Sequence, residues 1–204
     1  MCLPRTRRTL DLPKGQPIGY PFGMTRVMEL KEIAMDQGGF VLPDDAIVVG
    51  MEPKELARMA YKGRLVHEMH GIYRFPDAPV DDTTELRLAL LWAGPQAALD
   101  GETVLATLEL CDVNPRVIHV VVPPGVRIRR RGKLIYRLHK GRVNIDYHLG
   151  LPMASIPQAT KRAVANGMRL ELAQHAIDKA IRRDLITENE AHDLRKKIHT
   201  VRRQ

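Results

Sequence analysis

The chain has 204 residues, 44% of them hydrophobic but only 4% aromatic, so it can bury an aliphatic core in one large or two small domains. Its formal charge of +8 favours polyanionic partners: nucleic acid, an acidic protein or an anionic surface. No stretch is apolar enough to cross a bilayer, the N-terminus lacks a secretory layout, and Cys2 and Cys111 suggest neither a disulfide framework nor a zinc site, so a cytoplasmic protein with no cofactor and no metal is expected.

Residues 1–25 hold four prolines and three glycines and read as a flexible basic arm carrying Arg5, Arg7, Arg8 and Lys14. Residues 26–37 predict a helix, with Val27, Leu30, Ile33 and Ala34 on one face and Gly38-Gly39 at its end. Asp44–Val49 suits a short second helix, although Ile47-Val48-Val49 also suits a strand. Residues 52–62 predict a third helix, with Pro53 in its first turn, Leu56, Met59 and Ala60 inward, and Gly63 at its end. Arg64–His67 and Ile72–Phe75 then bracket Gly71 as a hairpin. Three helices followed by a hairpin is the order of a winged helix-turn-helix, here residues 26–76, with the third helix as reader and the hairpin as wing.

Residues 77–82 read as a linker, and 83–204 as a mixed α/β domain that ends in a helical bundle, which makes the whole chain α+β. Asp82 and Glu85 are placed to cap a helix carrying Leu86, Ala89, Leu90 and Ala93. Asp100 can cap a helix over Glu102–Leu110. Val117–Val122 is a β-branched run typical of a buried strand, and Leu134–Leu138 and Val143–Tyr147 are further strand candidates. Helices follow from Ser155 to about Asn166, over 169–183, and from a Thr187/Glu190 cap onward, the last with Ala191, Leu194, Ile198 and Val201 inward.

Two groups of residues point to nucleic acid. Lys54, Arg58 and Lys62 recur every four residues on the third helix and share a face, away from Leu56 and Met59. Arginine can pair bidentately with guanine in a major groove, and lysine meets phosphate. Arg64 and Arg74 flank the wing and are candidate backbone contacts. Between Arg26 and Pro76, however, seven basic residues meet eight acidic ones, so this module is not basic overall. The densest positive charge lies further on. Arg127, Arg129, Arg130, Arg131, Lys133, Arg137, Lys140 and Arg142 occur with no acid from Gly125 to Val143, and Arg129–Lys133 is expected at a hairpin tip. The DNA-contact candidates are Lys54, Arg58, Lys62, Arg64, Arg74, Arg127, Arg129, Arg130, Arg131 and Lys133. No phosphate loop, HExxH helix or nucleophile elbow is present, and His119, His139 and His148 lack metal-ligand spacing, so no enzyme is expected.

The Gly50 turn, Leu56 in the reader helix, the Gly63-Arg64-Leu65 exit and Gly71-Ile72-Tyr73-Arg74 in the wing resemble the N-terminal module of the AbiEi antitoxins of type IV toxin–antitoxin operons. Val117–Pro123, Gly150–Ser155 and Ala176–Leu185 look like later parts of that family, over about residues 26–200 in all. The resemblance implies a repressor that binds inverted repeats in double-stranded DNA at its own promoter. It also implies that the second domain neutralises a nucleotidyltransferase-like toxin. The family's arginine-richer wing is replaced here by His67-Glu68-Met69-His70. The alternative is an inhibitor that meets an acidic toxin surface directly, with little sequence-specific DNA binding.

Overall fold

The computed structural model describes residues 22–128, 133 and 135–201. The expected arm falls largely outside them. Its last residues, 22–25, are helical, because the first helix, α1, spans Phe22–Asp36 and begins earlier than its apolar pattern does. Gly23 lies in the first turn, where backbone N–H groups have no intrahelical partner and a glycine costs little.

After α1 come β1 (Phe40–Val41), α2 (Pro43–Val48), α3 (Pro53–Tyr61), β2 (Val66–Met69) and β3 (Ile72–Arg74). This is the expected order of three helices and a hairpin, with one strand added. The segment Ile47–Val49 is not a strand: α2 runs through Val48, and the Asp45 carboxylate accepts from the Leu42 N–H at 2.8 Å to fix its start. Two residues of β1 pair antiparallel with β3, giving a small sheet in the order β1-β3-β2. Gly39 makes that entry possible. Its φ is +85°, and a Cβ there would stand 2.2 Å from the Ala78 Cβ, so any other residue both strains the backbone and collides.

The small sheet has two apolar faces, because side chains alternate along a strand. Val41 and Tyr73 join Leu30, Ala34, Ala46, Leu56 and Met59 in a core beneath the three helices. Phe40, Met69 and Ile72 point the other way, into a larger core with Leu88, Trp92 and Leu105. The β2–β3 hairpin thus contributes to two apolar clusters rather than projecting freely.

The later part of the chain contains α4 (Thr84–Ala93), β4 (Ala98–Leu99), α5 (Gly101–Thr107), β5 (Ile118–Val122), β6 (Tyr136–Lys140), β7 (Ile145–His148), β8 (Leu151–Ala154), α6 (Ile156–Ala165), α7 (Leu170–Arg182) and α8 (Glu188–Val201). Its sheet order is β6-β5-β4-β8-β7. Helix α6 packs on α5, α7 and α8, with Ala159, Ala163, Ala176, Ala180 and Ala191 all fully buried. Small residues there allow close helix approach. The Thr187/Glu190 cap forms as expected: the Thr187 N–H donates to Glu190 Oε2 at 2.8 Å, and the Glu190 N–H donates to Thr187 Oγ at 3.2 Å.

Two expectations are corrected. Asp81, not Asp82, organises the start of α4: its carboxylate accepts from the Thr83 N–H at 2.9 Å and from the Thr83 and Thr84 hydroxyls. Glu85 is released from capping and turns to Lys133 and Tyr136. The second correction concerns the basic segment. β5 and β6 are parallel, with Ile118 opposite Tyr136 and Val122 opposite Lys140, so these two strands do not form a hairpin; of the expected tip, residues 129–132 lie outside the described residues. A parallel pair needs a crossover connection of roughly a dozen residues, which residues 123–135 supply.

A candidate nucleic-acid interface

The amphipathic pattern of α3 buries Leu56 and Met59 and leaves Lys54, Ala57, Arg58, Tyr61 and Lys62 exposed at its outer side. Its start is held by the Glu55 carboxylate, which accepts from the Glu52 N–H at 3.0 Å. Its end is set by Gly63, at φ +72°, after which the Arg64 N–H donates back to the Met59 carbonyl at 2.9 Å. This turn places Arg64 beside the helix it follows.

An open cleft of about 380 Å³ lies at this point, lined by Arg26, Glu55, Arg58, Lys62 and Arg64 over a floor of Val27, Met51 and Met59. Four cations therefore meet one carboxylate. Of the module's acids only Glu55 lines the cleft: Asp44 and Asp45 sit in the first turn of α2, and Glu68 is paired with Arg74. Charge that cancels over the module is segregated on its surface. Lys54 stands on the same helix and pairs with Glu52, both largely exposed, so that pair is easily exchanged for another anion.

Arg26 and Tyr61 do not stand out in the sequence. Arg26 comes from the N-terminal helix and reaches toward Gly50, a contact between elements that no spacing rule connects. Tyr61 is 94% exposed, and a signal for it exists: an aromatic residue three positions after Arg58 on a surface face.

Two other candidates are held elsewhere. Arg74 lies under the wing, where its Nε donates to Glu68 at 2.9 Å and its Nη1 to the carbonyls of Phe75 and Ala78 at 3.3 Å. Its side chain is only 13% exposed. Lys133 donates to both Glu85 oxygens at 2.9–3.0 Å. The Tyr136 hydroxyl donates to the same carboxylate, and burial, then this hydrogen bond, pushes its ionisation far above the usual phenol range. These contacts anchor the C-terminal end of the basic crossover to α4, while Arg127 near its other end is exposed. Arg129, Arg130 and Arg131 lie outside the described residues.

No group of three or more metal-ligating side chains occurs among the described residues, and no helix there is long and apolar enough to cross a membrane.

Residues 28–76 match the family model described as "Transcriptional regulator, AbiEi antitoxin". Among curated proteins no match is found. Among solved structures, the RV2827C protein from Mycobacterium tuberculosis aligns at 16% identity with a TM-score of 0.46, over 91% of this chain and 84% of that one.

Proposed function

We propose that this chain, a member of the AbiEi antitoxin family of transcriptional regulators through residues 28–76, represses its own operon by reading inverted repeats in duplex DNA. The observation that carries the reading is the cationic cleft beside α3, where Arg26, Arg58, Lys62 and Arg64 converge on a module with no net positive charge. In a winged helix-turn-helix this helix enters the major groove, so Arg58 meets a base edge and Lys54, Lys62 and Arg64 meet phosphate. Arg74 and Lys133 act as positioning residues, holding the wing and the basic crossover. Arg127, Arg129, Arg130 and Arg131 supply further phosphate contacts and most of the salt dependence.

The second domain is proposed to neutralise a nucleotidyltransferase-like toxin encoded in the same operon, in the cytoplasm and without catalysis of its own. The test of the DNA reading is affinity for the operon's promoter fragment as a function of salt. Replacing Arg129, Arg130 and Arg131 with alanine is expected to flatten the log–log slope by about 0.9 for each phosphate that is no longer neutralised. An unchanged slope, with loss of a stable complex with the toxin, would favour the basic crossover as a protein-binding surface instead.

A further inference from the structure

A second cationic cleft lies in the later part of the chain and shares no residue with the first. It has a volume of about 500 Å³, and its lining includes Glu102, Arg116, His119, Arg137, His139 and Asn166. The parallel register of β5 and β6 sets His119 opposite Arg137 and Val121 opposite His139, so His119, Arg137 and His139 share one face of the sheet. His119 Nδ1 and His139 Nε2 are 2.8 Å apart, with the ring planes within 9° of each other. One hydrogen is shared between them, so the neutral pair offers one N–H and one bare nitrogen on its remaining edges, whichever tautomer is present.

The pair is held firmly. The His119 backbone N–H donates to Thr103 Oγ at 2.8 Å, and its backbone carbonyl accepts from the Asp100 N–H at 2.9 Å. Arg162 of α6 comes close to both Gly101 and Gly141 and bonds the buried Asp100 carboxylate at 3.1 Å. Arg162 is thereby balanced. Arg116 and Arg137 have no ion-pair partner among the described residues. Glu102 is the one acid lining the cleft, and burial pushes its carboxyl above the ordinary value. Burial, then His119, Arg162 and Arg137, hold His139 down at about 4; burial, Arg137 and Arg162 likewise lower His119. With Arg162 committed to Asp100, two guanidinium groups without an ion-pair partner among the described residues and one lining carboxylate leave the cleft short of an anion.

We propose that this cleft binds a nucleoside monophosphate, its phosphate on Arg116, Arg137 and the His119–His139 pair, with Glu102 and Asn166 hydrogen-bonding the sugar or base. Planar guanidinium forks match phosphate oxygens. The cleft is larger than a bare oxyanion needs and falls within the range of small-molecule sites. Glu102 adds an acceptor that a site for phosphate alone would not require.

The test is calorimetric titration of the full chain with adenosine 5′-monophosphate, adenosine and inorganic phosphate, alongside proton NMR of the histidine Cε1–H signals. The monophosphate is expected to bind one to one and to shift the His119 and His139 signals. Adenosine and phosphate alone are expected to bind at least about tenfold more weakly. Removal of a charge-assisted hydrogen bond in Arg137→Gln weakens binding about tenfold or more, and Arg116→Gln, at an exposed loop position, gives the same reading should the first variant misfold. Arg58→Gln, in the other cleft, leaves it unchanged. Absence of saturable binding, binding indifferent to both Arg137→Gln and Arg116→Gln, or loss of binding in Arg58→Gln would each overturn the proposal. Inorganic phosphate binding as tightly as the nucleotide would overturn its nucleoside part.

Discussion

Arg74→Met separates a residue that touches DNA from one that holds the wing. Methionine keeps the apolar stem but removes the guanidinium that donates to Glu68 and to the carbonyls of Phe75 and Ala78. The side chains of Arg74 and Glu68 are 13% and 21% exposed, so the change strands a part-buried carboxylate and two carbonyls. A charged hydrogen bond contributes roughly 1.5–3 kcal/mol and an orphaned buried acceptor costs roughly 1–3. Water that still reaches Glu68 reduces the sum to about 2–4 kcal/mol. At about 2–4 °C per kcal/mol for a chain of this size, the melting temperature is expected to fall by roughly 4–16 °C. A double-mutant cycle with Glu68→Gln should show coupling of about 1–2 kcal/mol. At temperatures well below melting, affinity for promoter DNA and its salt slope should match wild type. An unchanged melting temperature with weakened DNA affinity would refute the reasoning and return Arg74 to the DNA interface.

Ile72 is fully buried on the face of the β2–β3 hairpin that joins the larger core. Ile72→Ala should cost about 2–4 kcal/mol and shift the helical circular dichroism and Trp92 fluorescence transitions together; movement of one transition alone would contradict a shared core. His139 titrates at about 4 in the folded chain against 6.5 ordinarily, so the unfolded chain binds the proton first. Stability is therefore expected to fall as pH drops from 6.5 toward 4, and His139→Gln should flatten that fall; equal pH profiles would contradict it. Burial, with Glu102 nearby, pushes the Cys111 thiol up to about 11. In a Cys2→Ser background, native protein at pH 8 should be alkylated by iodoacetamide on the order of a hundredfold more slowly than unfolded protein, and equal rates would contradict it.

Much of the architecture is legible in the sequence because local signals agree with the final packing. The i, i+3, i+4 patterns of α1 and α3, the glycines after them and the β-branched run of β5 each report burial directly. Other features depend on contacts that local sequence does not encode. β4 has two residues, too few to show alternation, and β8 contains Pro152, which argues against an interior strand. Because β4 meets β8 at a single register position, Leu99 with Met153, the ladder demands little of that proline. The direction of β6 is hidden for a similar reason. Pro123-Pro124-Gly125 signals a reversal, and only the register with β5 shows that the chain travels back before pairing. The cationic face of α3 is visible as spacing, whereas Arg26 enters the cleft through the packing of α1. Arg74 shows the converse: its charge is legible, and its commitment to Glu68 is not.

The central claim is that α3 reads base sequence through Arg58. The most direct measurement is the ratio of affinities for the operon's inverted-repeat fragment and a scrambled duplex, for wild type and Arg58→Ala at fixed salt. Wild type should prefer the inverted repeat. Arg58→Ala should lose about 1–3 kcal/mol on that fragment and much less on the scrambled one, so the ratio collapses. Equal affinity for the two duplexes, in wild type and variant alike, would contradict the account.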